Sequence, residues 1–212
     1  MSLEPKLRAP EAIEAESFRI IENELGPHSF SPREFAIVRR VIHATADFEF
    51  AKKLVFHPEA ISRGLEAIRS GCDFVVDVAM IQAGVSKPAI AAFGEGRVLS
   101  FITDDDVIAE AKREGITRAI ASMRKAARAA PGAVYAIGNA PTALFEAVRL
   151  IESGEMRPAV VIGVPVGFVS AVESKDALIA SGHPHIAARG RKGGTPVAVS
   201  ILNALLALAK IA

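Results

Sequence analysis

The chain has 212 residues, of which 50% are hydrophobic, and its formal net charge at pH 7 is +1. This length fits one domain with a substantial core, so we expect a single domain over residues 1–212. The near-neutral charge argues against nucleic acid as the main partner, because phosphate backbones favour strongly basic surfaces. No run reaches the ~18 consecutive apolar residues of a membrane span. The single Cys72 is consistent with a reducing cytoplasm, where we expect the protein to reside.

The first third of the sequence predicts helices. The second of them has the clearest start, with Ser31 as N-cap, Pro32 at the first helical position and Glu34 three residues after the cap. The helices are expected at Ala12–Glu24, Pro32–Ala46 and Pro58–Ser70.

The remainder alternates between short apolar runs rich in β-branched residues and helical patterns. The predicted strands are Phe74–Val78, Val98–Ile102, Ala133–Ile137, Ala159–Val164 and His185–Arg189. Thr103 is expected to cap one intervening helix, Pro141 opens another, and the last runs from Thr195 to Leu208. This alternation predicts an α/β domain of three layers, in which helices cover both faces of a mostly parallel sheet, preceded by an N-terminal helical segment.

In such folds, ligands bind beyond the carboxyl ends of the strands. Three glycine-containing loops follow predicted strands, at Gly138–Thr142, Gly163–Phe168 and Arg189–Thr195. They resemble anion cradles, in which backbone N–H groups at helix starts meet negative charge. None matches the dinucleotide or P-loop glycine pattern, so no nucleotide cofactor is predicted. The basic run in the last loop can bind anionic groups, although a solvated basic turn is equally consistent.

The helix that begins after Ser31 carries the most suggestive polar pair. At about 100° per residue, one broad apolar face is expected to pack in the core; it consists of Phe35, Val38, Val41, Ile42 and Thr45. Arg40 and His43 are three positions apart and lie on the side away from that face. They are either a solvated surface pair or a catalytic pair. The second case requires a further segment or subunit to exclude water.

No metal site is predicted. Asp104–Asp106 is better explained as negative charge at a helix start than as a metal site. His183-Pro184-His185 also suggests a metal site, but no Cys, Asp or Glu lies nearby at ligand spacing.

Four runs, taken in order, resemble the precorrin-8X methylmutases, including the cobalt-precorrin-8 methylmutases. They are Ile42–Asp47, Ala136–Leu144, Pro165–Val169 with Glu173–Lys175, and Arg189–Gly194. The resemblance extends from about Ser17 to Leu206. It implies an isomerase of cobalamin biosynthesis that moves a methyl group from C-11 to C-12 of a corrinoid. The product is hydrogenobyrinate, or cobyrinate where cobalt is present.

The same resemblance implies roles for individual residues. His43 matches the family's proton donor, and Ser17 and Arg40 match positions that contact substrate. It also implies a homodimer with the site near the subunit interface, and no redox cofactor, nucleotide or protein-bound metal. From loop position and charge we further predict contacts to the substrate carboxylates. The residues concerned are Arg118, Asn139, Lys175 and Arg191.

Two other functions remain open. A non-catalytic tetrapyrrole carrier would use the same pocket. A Rossmann-like oxidoreductase of the same pathway would bind a nicotinamide cofactor, which the missing glycine motif disfavours.

Overall fold

Six strands form one sheet in the computed structural model, which describes residues 9–211. The strands are β1 (Leu54–Phe56), β2 (Phe74–Val76), β3 (Val98–Leu99), β4 (Val134–Ile137), β5 (Val160–Gly163) and β6 (His185–Ala188). Their order across the sheet is β1-β6-β5-β4-β2-β3. All neighbouring pairs are parallel except β1 with β6, which are antiparallel and place Leu54 opposite Ala188.

Helices cover both faces of this sheet. They are α1 (Pro10–Leu25), α2 (Pro32–Thr45), α3 (Phe50–Lys53), α4 (Ala60–Arg69), α5 (Ala79–Gly84), α6 (Lys87–Ala91), α7 (Asp105–Glu114), α8 (Arg118–Ala129), α9 (Pro141–Glu152), α10 (Ala171–Ala180) and α11 (Thr195–Lys210). None of the helices within residues 9–211 combines the length and the apolarity needed to cross a membrane.

Two apolar cores lie on opposite faces of the sheet, because alternate residues of a strand point to opposite sides. In β4, Val134 and Ala136 join the core formed with α2, α4 and α11, whereas Tyr135 and Ile137 join the core formed with α8, α9 and α10. The predicted α/β class with a mostly parallel sheet is therefore confirmed.

The predicted strands are all present, with somewhat shorter ends. One strand was missed: β1 is a three-residue antiparallel edge strand, and its existence depends on pairing with a distant segment. The predicted cap at Thr103 is wrong by one residue, since Asp104 is the N-cap of α7.

The start of α2 is as predicted. Ser31 Oγ accepts a hydrogen bond from the Glu34 N–H, and the Glu34 carboxylate accepts one from the Ser31 N–H. The helix ends at Ala46, whose φ of 53° lies in the left-handed region.

The core face of α2 is rotated slightly from the predicted one. The buried residues are Ile37, Val38, Val41 and Ile42. Phe35 and Thr45 are only half-buried. Phe35 stacks on the ring of His28, with centroids 4.2 Å apart, and Thr45 Oγ1 donates to Val41 O at 2.8 Å.

Candidate active site

His43 lies in the last turn of α2, and its side chain is exposed. The imidazole meets the Phe18 ring of α1 edge-on, with the centroids 5.3 Å apart. Arg40 is half-buried, its Nη1 lies 3.3 Å from Glu14 Oε1, and its guanidinium carbon lies 5.6 Å from the centroid of Phe18. Helix α1 therefore covers part of the polar face of α2 but leaves the imidazole accessible.

A pocket of about 270 Å³ opens beside this imidazole. Ser17 and His43 both line it, and Ser17 Oγ donates to Ile13 O at 2.8 Å. A second pocket, of about 620 Å³, adjoins the first and shares Glu24 and Phe48 with it. Small-molecule sites commonly measure ~300–1,000 Å³, so the pocket beside His43 is just below this range by itself, whereas the adjoining pocket lies within it.

An ion pair joins the end of α2 to the carboxyl edge of the sheet. Lys192, in the loop after β6, places Nζ 2.5 Å from Asp47 Oδ2 and 3.3 Å from Glu49 Oε2. The hydrogen bond from this ammonium holds the pKa of Asp47 below its usual value. His43 thus lies within about one helical turn of a segment that is attached to the loops where α/β proteins bind ligands.

The loops that follow β5 and β6 are bonded to each other. The Gly194 N–H donates to Val164 O at 2.7 Å, and the Gly167 N–H donates to Arg191 O at 3.2 Å. Gly193 is required by this approach, because a Cβ there would lie 2.2 Å from Val164 O. Above the contact, the Arg191 guanidinium carbon lies 5.3 Å from the centroid of Phe168, a side chain that is 83% exposed.

Asp77, which follows β2, was not singled out from the sequence. Its carboxylate is 1% exposed and accepts hydrogen bonds from the backbone N–H groups of Gly138, Asn139 and Ala140, at 3.0, 2.8 and 2.7 Å. Burial raises the pKa of the Asp77 carboxyl, and the three donors oppose that shift. The only sequence signal was a lone acidic residue in an otherwise apolar strand run.

These contacts change how the glycine loops are understood. The N–H groups at the start of α9 donate to Asp77, and the N–H groups of Gly167 and Gly194 donate to backbone carbonyls of the neighbouring loop. These five N–H groups, among the donors that resembled anion cradles, are therefore already bonded within the protein.

A group of three histidines lies at the opposite, amino edge of the parallel strands. His185 is 3% exposed, its Nδ1 lies 2.8 Å from His183 O, and its ring centroid lies 5.7 Å from that of His57. Burial lowers the pKa of both His183 and His185. Within residues 9–211, no three His, Cys, Asp or Glu side chains are grouped so as to hold a metal ion. That the protein needs no metal stays a prediction.

Comparison with known proteins identifies the family of this chain. The family model described as Precorrin-8X methylmutase matches residues 12–208. The chain belongs to the precorrin-8X methylmutase family. It is accordingly an isomerase of cobalamin biosynthesis, as the resemblance implied.

Individual relatives agree over nearly the whole length of this methylmutase. It is 53% identical to a cobalt-precorrin-8 methylmutase from Priestia megaterium, over 94% of this chain and 88% of the relative. It is 46% identical to the cobalt-precorrin-8 methylmutase of Leptospira interrogans, over 92% of each chain. A solved structure of precorrin-8X methylmutase from Thermus thermophilus is 44% identical, with a TM-score of 0.88 over 94% of this chain and 96% of that one.

The remaining predicted residues of this methylmutase lie in two places. Arg118 begins α8 and is exposed; its neighbour Thr117 places Oγ1 3.1 Å from Thr142 Oγ1 in the first turn of α9, so the starts of the two helices are adjacent. Asn139 is exposed in the loop before α9. The strand β5 separates β4 from β6, which puts the loop of Asn139 roughly 10 Å from the loop that carries Arg191.

Lys175 differs from the other predicted residues because it is completely buried. Its ammonium donates to Lys192 O at 3.0 Å. Direct contact with a substrate carboxylate stays a prediction, and this arrangement does not favour it.

Proposed function

We propose that this methylmutase moves a methyl group from C-11 to C-12 of a precorrin-8 corrinoid, giving hydrogenobyrinate or cobyrinate, with His43 as the proton donor. The observation that carries the proposal is the position of His43. In a chain of this family, its exposed imidazole shares a pocket with Ser17 at the end of α2. That end is attached to the ligand-binding edge of the sheet through Asp47 and Lys192.

The reaction resembles a 1,5-sigmatropic shift along the conjugated macrocycle. A proton delivered to the ring-C nitrogen makes the π-system electron-poor and favours the conjugation of the product. The donor must hold a proton near neutral pH and still release it, which suits imidazole. The remaining rate acceleration comes from holding the flexible macrocycle in a reactive shape.

The substrate carries several carboxylates around its rim, and we assign arginine side chains to them. Arg40 lies one turn before His43 on α2 and pairs with Glu14, outside the lining of the pocket, whereas Arg118 and Arg191 lie along the carboxyl edge with Asn139. A guanidinium group offers forked donors that match a carboxylate. Because five backbone N–H groups of these loops are engaged within the protein, we assign the contacts there to side chains.

We assign the cobalt-containing corrinoid as the first substrate to test. Both curated relatives described above are named cobalt-precorrin-8 methylmutase, and one of them is 53% identical to this chain.

We further propose a homodimer that completes the site. The pocket beside His43, at about 270 Å³, is open and smaller than a large ligand needs. At the same edge, Phe168 and Val169 are each 83% exposed, so they offer apolar surface that a partner subunit can bury. The cytoplasm as the compartment remains a prediction that rests on the single Cys72.

The function is tested by incubating the purified protein with cobalt-precorrin-8, and separately with precorrin-8X, and following the visible spectrum without NAD(P)H. We expect a time-dependent conversion to the spectrum of the rearranged corrinoid. A coloured complex whose spectrum never changes would identify a carrier instead. Conversion that depends on added nicotinamide would identify an oxidoreductase.

A further inference from the structure

Lys175 is a buried cation that the proposed proton transfer does not use. Its side chain is 0% exposed, and Nζ donates 3.0 Å to the backbone carbonyl of Lys192. A buried charge is costly unless it is paired or hydrogen-bonded, so this contact is expected to be kept. Together with the backbone hydrogen bonds between the loops after β5 and β6, Lys175 therefore holds the loop after β6 in place.

The side chain of Lys192 extends the connection towards His43. Its Nζ lies 2.5 Å from Asp47 Oδ2, and Asp47 Oδ1 accepts from the Glu49 N–H at 2.9 Å. The Asp47 N–H in turn donates to Thr45 Oγ1 at 3.3 Å. The backbone carbonyl of Lys192 is thus held by Lys175 of α10. The ammonium of Lys192 in turn holds Asp47, which follows the C-terminal end of α2.

We infer that Lys175 is a positioning residue, which acts through Lys192 and Asp47 to orient the last turn of α2 and the His43 imidazole. It does not bind substrate itself. This inference rests on the proposed function, because that function gives the direction of the imidazole its importance. A misplacement of about 1 Å at a reacting group can cost ~10²-fold in rate.

Protonation of Lys175 adds a pH dependence to this connection. Its pKa is lowered to about 8, mainly by burial; Asp176 on the same helix opposes the shift, and the nearby Lys53 contributes to it. Below this pKa the ammonium makes a charge-assisted hydrogen bond, which is stronger than a neutral one. As pH rises through 8 the bond weakens, so we expect this connection to contribute to a decline of kcat on the alkaline side.

The test compares Lys175→Met, Lys192→Met and the double variant with Lys112→Met, which changes an exposed lysine of α7. We measure kcat, the dissociation constant of the corrinoid product, and the imidazole NMR signals of His43, assigned by their loss in His43→Ala. Each single variant is expected to lower kcat by roughly 10- to 100-fold. Each is also expected to shift the His43 signals and to keep product binding within about threefold, a spread of less than 1 kcal/mol.

Because the two lysines act in series, the double variant should be little worse than the poorer single variant. The alkaline decline of kcat near pH 8 should be smaller in Lys175→Met than in the wild type. The decline expected of any general acid that loses its proton should remain in both proteins. Lys112→Met should behave like the wild type in every measurement.

Unchanged His43 signals in both single variants would overturn the inference. So would weaker product binding with unchanged kcat, which would make Lys175 a substrate ligand. If Lys175→Met does not fold, Lys192→Met carries the test, because its side chain is 42% exposed and its backbone carbonyl is retained. If the wild type fails to convert corrinoid, the proposed function fails, while the NMR signals still report the connection by themselves.

Discussion

Arg40 is the predicted substrate contact that lies closest along the chain to His43, one turn earlier in α2. Its ion pair with Glu14 is partly exposed, so its loss should cost little stability. A charge-assisted hydrogen bond to a ligand is worth ~1.5–3 kcal/mol. We therefore expect Arg40→Ala to raise the dissociation constant of the product roughly 10- to 100-fold, measured by spectral titration, with a smaller effect on kcat. Arg33→Ala, on the exposed start of the same helix, is the matched control. Equal dissociation constants of the product in the wild type and in Arg40→Ala would show that Arg40 does not bind the substrate.

The free energy of unfolding should depend on pH because of His183 and His185. Burial lowers the pKa of both from the usual 6.5. Below pH 6.5 the unfolded chain therefore binds protons that the folded chain does not, and the free energy of unfolding should fall as pH drops. Urea titrations at pH 8 and pH 5 should show a smaller fall in His185→Gln than in the wild type. The exposed His28→Gln should keep the wild-type difference. If the free energy of unfolding falls as much in His185→Gln as in the wild type, the buried histidine is not the cause of the acid sensitivity.

Exposure of single residues was predictable only where a regular pattern governed it. Helical periodicity placed His43 away from the core of α2, and the structure agrees. Lys175 and Asp77 had no such pattern. Their burial depends on neighbouring elements. Three backbone N–H groups bind the Asp77 carboxylate, and the backbone carbonyl of Lys192 binds the Lys175 ammonium.

At the scale of elements, Asp77 joins β2 to the start of α9. Asp77→Ala leaves three N–H groups without this acceptor, and that of Gly138 is buried. One buried donor without a partner costs ~1–3 kcal/mol. We expect the free energy of unfolding, from urea titration, to fall by at least about 2 kcal/mol. Asp77→Asn retains an acceptor oxygen and should lose less. Asp105→Ala, at the exposed start of α7, should stay within about 1 kcal/mol of the wild type. A loss no larger than that of Asp105→Ala would show that Asp77 does not stabilise the junction of β2 and α9.

Elements were predictable to the extent that local chemistry determines them. The capping box of Ser31 and Glu34 is contained within four residues and gave the start of α2 correctly. Strand β1 depends on pairing with β6, more than 120 residues later, so no local signal announced it. The bond between Lys192 and Asp47 is likewise non-local, and with it the attachment of the His43 helix to the site loops.

For the whole molecule, the alternation of strands and helices was sufficient to predict the layered fold. The assembly is not encoded in that alternation. We expect sedimentation velocity at micromolar concentration to show a dimer, and Phe168→Asp to raise its dissociation constant at least ~10-fold, or 1.4 kcal/mol. Ile108→Asp, at an exposed apolar position of α7, should remain dimeric. A fully active monomeric wild type would rule out a site shared between subunits.

The central claim is that the imidazole at position 43 delivers the proton. The most direct measurement is the single-turnover rate of His43→Ala with cobalt-precorrin-8, alongside its affinity for the product. Loss of a general acid commonly costs ~10²–10⁴ in rate, so we predict a fall of this size with product affinity within about threefold of the wild type. A variant that rearranges the methyl group at the wild-type rate would contradict the account.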